Sequence, residues 1–346
     1  MISDKTDGKK RIGLKKPTMR DIARAVGTSA VTVSKAITGK PGMSDRLRAK
    51  ILRKAEEMGY VYPGAAAAVQ NLSIGVLIPD RYFHDESFYS AMYRMLIRKL
   101  SEGGHFGLLE ILSPEDERAL NVPKLVETGR AQGLILLGEP SKAYYRMITQ
   151  TDIPLVFLDF YDAQGNADCV VGDNNYGAYR LTSHLIRRGH RDIGFVGDVR
   201  ATGSIMDRFL GYYRAMLVND LPVRHEWIVP DRQEDGEMRI PELPEALPTA
   251  FVCNCDLAAK LLIEKLNARG LRVPEDVSVT GYDDYTGGME VTPPLSTFRV
   301  DTENMVDLAV RSITERCSGT ERPFRRTVVS GQPVYRASER SLNGAD

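Results

Sequence analysis

The sequence predicts a small all-α head followed by a larger α/β body built on parallel sheets. Three observations carry this reading. Residues 18–37, TMRDIARAVGTSAVTVSKAI, carry two short amphipathic helices separated by a Gly-containing turn. From Ser73 onward, short β-rich apolar runs alternate with helix-length amphipathic segments. The charge is also unevenly divided: residues 1–70 hold 15 Lys and Arg against 6 Asp and Glu, although the whole chain sums to +0.

In the head, Met19, Ile22, Ala23 and Val26 recur at i, i+3, i+4 and i+7, which places one apolar stripe on a first helix. Gly27 ends that helix, and the Ser29 hydroxyl is placed to cap the next by accepting a backbone N–H bond. The second helix is expected to bury Val33 and Ile37, leaving Ala30, Val31, Thr32, Ser34 and Lys35 on its start and outer side. Ser44 caps a third helix with Leu47, Ile51, Ala55 and Met58 on one face, ending at Gly59, so the three helices can share a core. Two short helices joined by a tight turn form a helix-turn-helix, whose second helix enters the DNA major groove. A head with a net charge of +9 on an acidic body is the electrostatic footprint of a protein that holds phosphate backbones.

The stretch MRDIARAVGTSAVTVSKAITG, followed late in the chain by VSVTGYDD, resembles the LacI/GalR family of bacterial transcription regulators. The resemblance runs from about Thr18 to about Arg336, and its most specific part is Thr32-Val33-Ser34-Lys35 in the second helix. It implies a homodimer on double-stranded operator DNA, with two recognition helices about one DNA turn apart on a pseudo-palindrome. Ala30, Val31 and Ser34 would reach base edges, the first two by methyl contacts. Thr18, Ser29, Thr32 and Lys35 would mainly hold phosphates.

Bulk properties narrow the classes. A chain of 346 residues with 42% hydrophobic and 27% charged residues can bury two or three domain cores and has an ordinary globular composition. No apolar run approaches the roughly 20 residues needed to span a bilayer, so no membrane partner is expected. Residues 1–16 are basic without a following apolar core, which reads as a flexible basic arm or a plain disordered tail rather than an export signal. The four Cys show no disulfide or metal spacing, and a cytoplasmic location is expected.

The domains are expected at 17–60 for the helix-turn-helix, 61–72 for a hinge helix or linker, and 73–340 for effector binding and dimerisation. In the family the segment YVYPGAAAAVQN becomes a helix that presses an apolar side chain into the minor groove. Val69 is the candidate wedge here, shorter than the usual Leu. Pro63 and Gly64 replace residues that are typically polar or basic. Pro63 can start a helix and Ala65–Ala68 is a strong helix former; the bland alternative is a simple linker.

In the body the apolar runs are Ile74–Ile78, Phe106–Leu112, Gly133–Leu137, Pro154–Leu158, Cys169–Gly172, Ile193–Val196, Trp227–Val229, Phe251–Asn254 and Val277–Gly281. Nine strands alternating with helices imply βαβ units, and the number favours two halves over one open sheet. The resemblance implies two periplasmic-binding-protein-like parallel-sheet subdomains. The N-terminal one would take about 73–172 and 297–326, the C-terminal one about 173–293 and 327–340. A ligand would sit between them at the carboxyl ends of the strands.

No dinucleotide fingerprint, phosphate loop or nucleophile elbow is present, and the five His are scattered. The sequence therefore predicts neither an enzyme nor a metal or cofactor. A hydroxyl-rich ligand needs carboxylates, bidentate donors and an aromatic face. Asp159, Asp173, Asp256 and Asp283 all follow strands, although Asp256 reads better as the cap of the next helix. By the family motif, Arg208 in RFLGYYRAM and Asp283 in VTGYDD match effector ligands, and the Arg fork suits paired oxygens. Phe83, Phe88 and Phe160 or Tyr161 are the aromatic candidates, and Cys255 stands where the family frequently has Asn. The expected function is a sequence-specific repressor controlled by a small-molecule effector, with a sugar favoured. The alternatives are a purine or a phosphoprotein partner, or a solute-binding module with a weakened DNA head.

Overall fold

The computed structural model describes residues 17–37, 43–58, 60, 71–84, 87–232, 238–240, 242–285, 287–288 and 290–343. The expected arm over 1–16, Val69 and almost all of the expected hinge lie outside the described residues. The chain divides into two compact units, Met1–Gln70 and Asn71–Asp346.

The first unit contains α1 (Met19–Val26), α2 (Ala30–Ile37) and α3 (Asp45–Glu57). Thr18 and Asp21 close a reciprocal capping box at the start of α1, and Gly27 ends it at φ 75°, a left-handed conformation that costs Gly little. Ser29 Oγ accepts the Thr32 N–H at 3.1 Å and Ser44 Oγ that of Leu47 at 3.4 Å, so both later helices are capped as their sequences predict. Ile22, Ala23, Val26, Val33, Ala36, Ile51 and Ala55 form the core. Ala36 rather than Ile37 fills the second buried position of α2, and Ile37 packs at the margin.

The second unit begins with β1 (Ser73–Pro79), α4 (Phe88–Glu102), β2 (Phe106–Leu112), α5 (Pro114–Ala119), α6 (Lys124–Glu127), β3 (Gly133–Leu137) and α7 (Lys142–Ile148). It continues through β4 (Leu155–Leu158), β5 (Asp168–Gly172), α8 (Asn174–Arg187), β6 (Ile193–Val196), α9 (Gly203–Val218), β7 (Ile228–Val229) and β8 (Ala250–Cys253). It ends with α10 (Asp256–Ala268), β9 (Ser278–Thr280), β10 (Thr297–Arg299), α11 (Thr302–Cys317), β11 (Arg326–Val329) and β12 (Gln332–Val334). One sheet has the order β11-β5-β4-β3-β1-β2 and a second the order β7-β6-β8-β9. Their ladders are parallel.

Strand β1 shows why both faces must be covered. Ile74, Val76 and Ile78 pack beneath α4 and α11, while Leu77 joins Leu134, Leu136 and Phe157 on the other face. A parallel strand buried on both sides carries a continuous apolar run rather than an alternating one. The β7–β8 connection, like β4–β5, forms no helix among its described residues, and Ile240 and Leu243 cover the sheet instead.

Strand β11 pairs with β5, which moves 327–329 out of the C-terminal half where the sequence reading placed them. The last crossing falls after Val329, and β10 and β12 form an antiparallel ribbon linking the two sheets. These short segments, and α11, were not singled out from the sequence.

A buried carboxylate anchors β11's loop to the first sheet. Asp168 accepts bonds from Arg316 at 2.8 Å, from Arg322 at 2.7 Å and from the Arg325 N–H at 2.8 Å. Burial pushes this carboxyl up, but the two guanidinium groups and the amide outweigh it and hold the pKa at about 2. The folded value lies below the ordinary one, so this stabilisation is present above about pH 4 and lost as pH falls towards 2. We expect Asp168→Ala to cost about 3 kcal/mol by taking the carboxylate from two largely buried guanidinium groups, of which Arg322 keeps Glu315. Urea unfolding at pH 7 measures that loss, and a variant as stable as wild type would refute the anchor.

Candidate nucleic-acid interface and effector cleft

On α2, Val33 and Ala36 face the core, which turns Val31, Ser34 and Lys35 outward together, since positions three and four apart share a helix face. Val31 is 66% exposed, far more than packing of the head requires. Ala30 sits against the core edge. Ser29 Oγ and Thr32 Oγ1 lie 2.8 Å apart, so one hydroxyl proton of the pair is used internally and the other is available to a phosphate. Lys35 is exposed at the last turn.

Thr18 is engaged in its own helix cap. Its hydroxyl donates to Asp21 Oδ2 at 2.6 Å and its backbone N–H to the same oxygen at 2.9 Å. Both donors are spent on the helix cap, so the phosphate contact expected of Thr18 has no proton to offer. We expect Thr18→Ala to lower the stability of the head by about 1 kcal/mol while leaving the salt slope of DNA binding unchanged. Salt-dependent titrations check this, and a slope reduced by about one would restore the phosphate role.

In the body, the candidate ligand residues converge at the carboxyl ends of both sheets. Arg208, on α9 and 6% exposed, is held by three groups. Its Nε donates to Asn174 Oδ1 at 2.8 Å, its Nη1 to the Asn254 carbonyl at 2.6 Å, and its Nη2 stands 3.1 Å from Asp283 Oδ1. The guanidinium lies 4.0 Å from the centroid of the Tyr282 ring. The contact with Asp283 is an ion pair without hydrogen-bond alignment: Oδ1 is a buried acceptor with no donor among the described residues.

A second carboxylate faces the same cation from the other half. Asp159 accepts the Tyr89 hydroxyl at 2.8 Å. Both aspartates occupy positive φ, 69° at Asp159 and 104° at Asp283, conformations that a non-Gly residue holds only under constraint from its surroundings. Burial raises Asp159 against the pull of Arg208 and the Tyr89 hydroxyl. It pushes Asp283 up to about 7, again against Arg208, with Asp159 adding to the rise. Burial pulls Arg208 down, but Asp283, Tyr282 and Asp159 outweigh it and hold the guanidinium charged.

The chain's own groups also bridge the cleft mouth. Glu139, after β3, accepts the Gly203 N–H at the start of α9 at 2.7 Å. Tyr161 donates to Asp207 on α9 at 3.2 Å, and Phe88 meets Tyr285 edge-on at 5.9 Å.

Other sequence candidates sit elsewhere. Phe160 is buried against Phe157 at 4.4 Å and Tyr145 in the core, and does not reach the cleft. Phe83 packs edge-on to Tyr93 and against the core beneath α4. Cys255 caps α10 by accepting the Ala258 N–H at 3.4 Å, and burial pushes its thiol up to about 12, so it is neutral. Asp173 caps α8. Asp256 binds Thr297 and the Tyr285 N–H, locking the segment after β9. Asn174, Asn254, Tyr89 and Tyr285 complete the site and were not singled out from the sequence. Asn174 and Asn254 act through groups that sit at strand ends, where the strand-to-helix alternation is the available signal.

Two family models match the chain. Residues 18–62 match "Bacterial regulatory proteins, lacI family", and residues 182–339 match "Periplasmic binding protein-like domain". The chain belongs to the LacI/GalR family. This is a family of DNA-binding regulators rather than enzymes. The ribose operon repressor of Haemophilus influenzae is 28% identical over 334 residues, covering 94% of this chain and 99% of that protein. The HTH-type transcriptional repressor PurR of Actinobacillus pleuropneumoniae is 26% identical over 336 residues, covering 94% and 99%. Among solved structures, a complex of the transcriptional regulator CelR with cellobiose superimposes with a TM-score of 0.66 at 23% identity, covering 93% of this chain and 99% of that one; it supports the fold. Among the described residues no helix is long and apolar enough to cross a membrane.

The raised carboxyl gives a pH signature. A group whose folded pKa lies above its unfolded value contributes stability below about pH 4 that is lost as pH rises through about 7. We expect the melting temperature to carry a downward component across that window that Asp283→Asn removes. Differential scanning calorimetry from pH 5 to 8 measures it; identical profiles for the two proteins would rule it out.

Proposed function

We propose that this LacI-family chain is a transcriptional repressor whose operator affinity is set by a sugar bound between its two sheets. The observation that carries the sugar reading is the buried Oδ1 of Asp283, which has no aligned donor among the described residues, beside the fixed guanidinium of Arg208. A hydroxyl donates to the one and accepts from the other, so a polyhydroxylated ligand completes both groups at once. Asp159 adds an acceptor from the opposite half, and Phe88 and Tyr285 supply an apolar edge. The name of the ribose operon repressor relative is consistent with this; the PurR relative makes a purine the competing ligand class.

Two copies would present α2 to successive major-groove faces in the cytoplasm, with Val31 and Ser34 on base edges and Ser29 or Thr32 and Lys35 on phosphates. The effector must bind the operator-competent and operator-released states unequally, and operator must then change effector affinity by the same factor.

A melting-temperature screen of the full chain against pentoses, hexoses, disaccharides and purines tests the ligand class. A ligand at about 100 times its Kd adds about 2.7 kcal/mol of stability. Stabilisation by purines and not by sugars would overturn the sugar assignment. Arg208→Ala should abolish the stabilising response while operator binding persists. Lys35→Ala should lower the slope of log affinity against log salt by about one. An unchanged slope would remove Lys35 from the phosphate contacts.

A further inference from the structure

The turn after β9 holds two successive non-Gly residues at positive φ, Asp283 at 104° and Asp284 at 53°. Such a pair persists only where its surroundings over-determine it. The backbone supplies part of that constraint: the Asp283 N–H donates to the Phe298 carbonyl at 2.9 Å, and the Tyr285 N–H to Asp256 Oδ2 at 2.7 Å. The Asp284 side chain supplies more, by engaging the β10–β12 ribbon rather than the cleft. Its Oδ2 accepts from Arg299 Nε at 2.7 Å, and its Oδ1 accepts from Arg336 Nη2 at 2.6 Å. Arg299 ends β10 and Arg336 follows β12, so one carboxylate, 13% exposed, cross-links both strands of the ribbon. Arg336 is itself fixed, by Nη1 on the Leu295 carbonyl and by its backbone N–H on Ser296 Oγ, each at 2.7 Å.

We propose that Asp284 is a positioning residue: it anchors the turn that sets the Asp283 carboxylate beside Arg208, and it ties that carboxylate to the ribbon joining the two sheets. Charge-assisted bonds on both oxygens are the strong kind and fix direction as well as distance. Two neighbours in one constrained turn do not move independently, so a displacement of Asp283 by a bound molecule passes directly into β10 and β12. The coupling needs no chain of intermediate side chains, because the element that meets the ligand and the element that grips the crossing strands are consecutive residues. This rests on the reading of the cleft as an effector site, but the positioning itself is a property of the free chain and is tested there.

The test is the pH dependence of melting of the full chain without ligand, by differential scanning calorimetry from pH 5 to 8. The groups that face Asp283 are Arg208 from α9, Asp159 after β4, its neighbour Tyr282, and Cys255 and Asp256 at the start of α10. Burial pushes the Asp284 carboxyl up, but Arg336 and Arg299 outweigh it and hold it below the ordinary carboxylate range, so Asp284 does not itself titrate in this window. The component owed to Asp283 is the difference between wild type and Asp283→Asn. In the Asp284→Asn background, measured against the variant carrying both substitutions, that component should fall by at least half, because a released turn lets water reach the Asp283 carboxyl. A merely structural role would lower the melting temperature equally at every pH and leave the component whole, which overturns the proposal. A wild type without the component overturns it as well, since Asp283 is then not held in its buried place. Arg299→Gln removes one of the two bonds from a half-exposed side chain and should lose a smaller part. If Asp284→Asn fails to fold, an Arg299→Gln component equal to that of wild type overturns the proposal. Melting shifts with pentoses, hexoses and purines, run alongside, judge the effector reading separately: their absence in wild type removes that reading and leaves this comparison standing.

Discussion

Arg208 is the residue on which the body of this protein turns. A guanidinium 6% exposed must be surrounded by acceptors, because an unpaired charge removed from water is very costly. Asn174, Asn254 and Asp283 supply them from the start of α8 and from the ends of β8 and β9, and Tyr282 closes one side of the fork. Two strand-to-helix junctions and the segment after β9 are thereby held in register around one cation. The two carboxylates that face this cation, Asp159 and Asp283, both sit at positive φ. A scaffold assembled around a charge is also prepared to receive oxygen atoms, which links the stability of the cleft to its use.

Much of the architecture was legible in the sequence because it rests on local rules. The head could be read from the 3.6-residue period and from Ser29, Ser44 and Gly27 as caps, and nine apolar runs marked strands. Buried parallel strands announce themselves by continuous Val, Ile and Leu. The segments β10, β11 and β12 lack that signal: they are three or four residues long and include Arg299, Arg326 and Thr327, and pairing across the chain defines them. Only with β11 in place does the last crossing move past Val329.

Site residues were legible in proportion to how far their position follows from local pattern. Arg208 and Asp283 were singled out by family motif, and the structure brings them within 3.1 Å. Phe160, named with Tyr161 as an aromatic candidate, packs in the core instead. The left-handed turn at Asp159 breaks the alternation of β4 and returns Phe160 to the face of Phe157. Thr18 is ambiguous from sequence, since a threonine before a helix can cap it or hold a phosphate; here its hydroxyl and N–H both bond Asp21. Tyr89 and Asn254 belong to the site through tertiary proximity alone.

The contacts across the cleft mouth have a consequence for how a signal is graded. Glu139 on the Gly203 N–H, Tyr161 on Asp207 and Phe88 on Tyr285 are made by the chain's own atoms. The free energy of bringing the halves together is thus supplied in part by the protein, and a bound molecule need not provide it all. Affinity and potency then become separable properties: a molecule that fits the interior without disturbing this clasp can bind tightly and change little, because equal affinity for two states shifts neither. A weaker molecule that strains or reinforces the clasp can act strongly. Evolution of a new response in this chain can therefore proceed at Glu139, Tyr161 or Asp207, on the rim, without rebuilding the charged floor around Arg208.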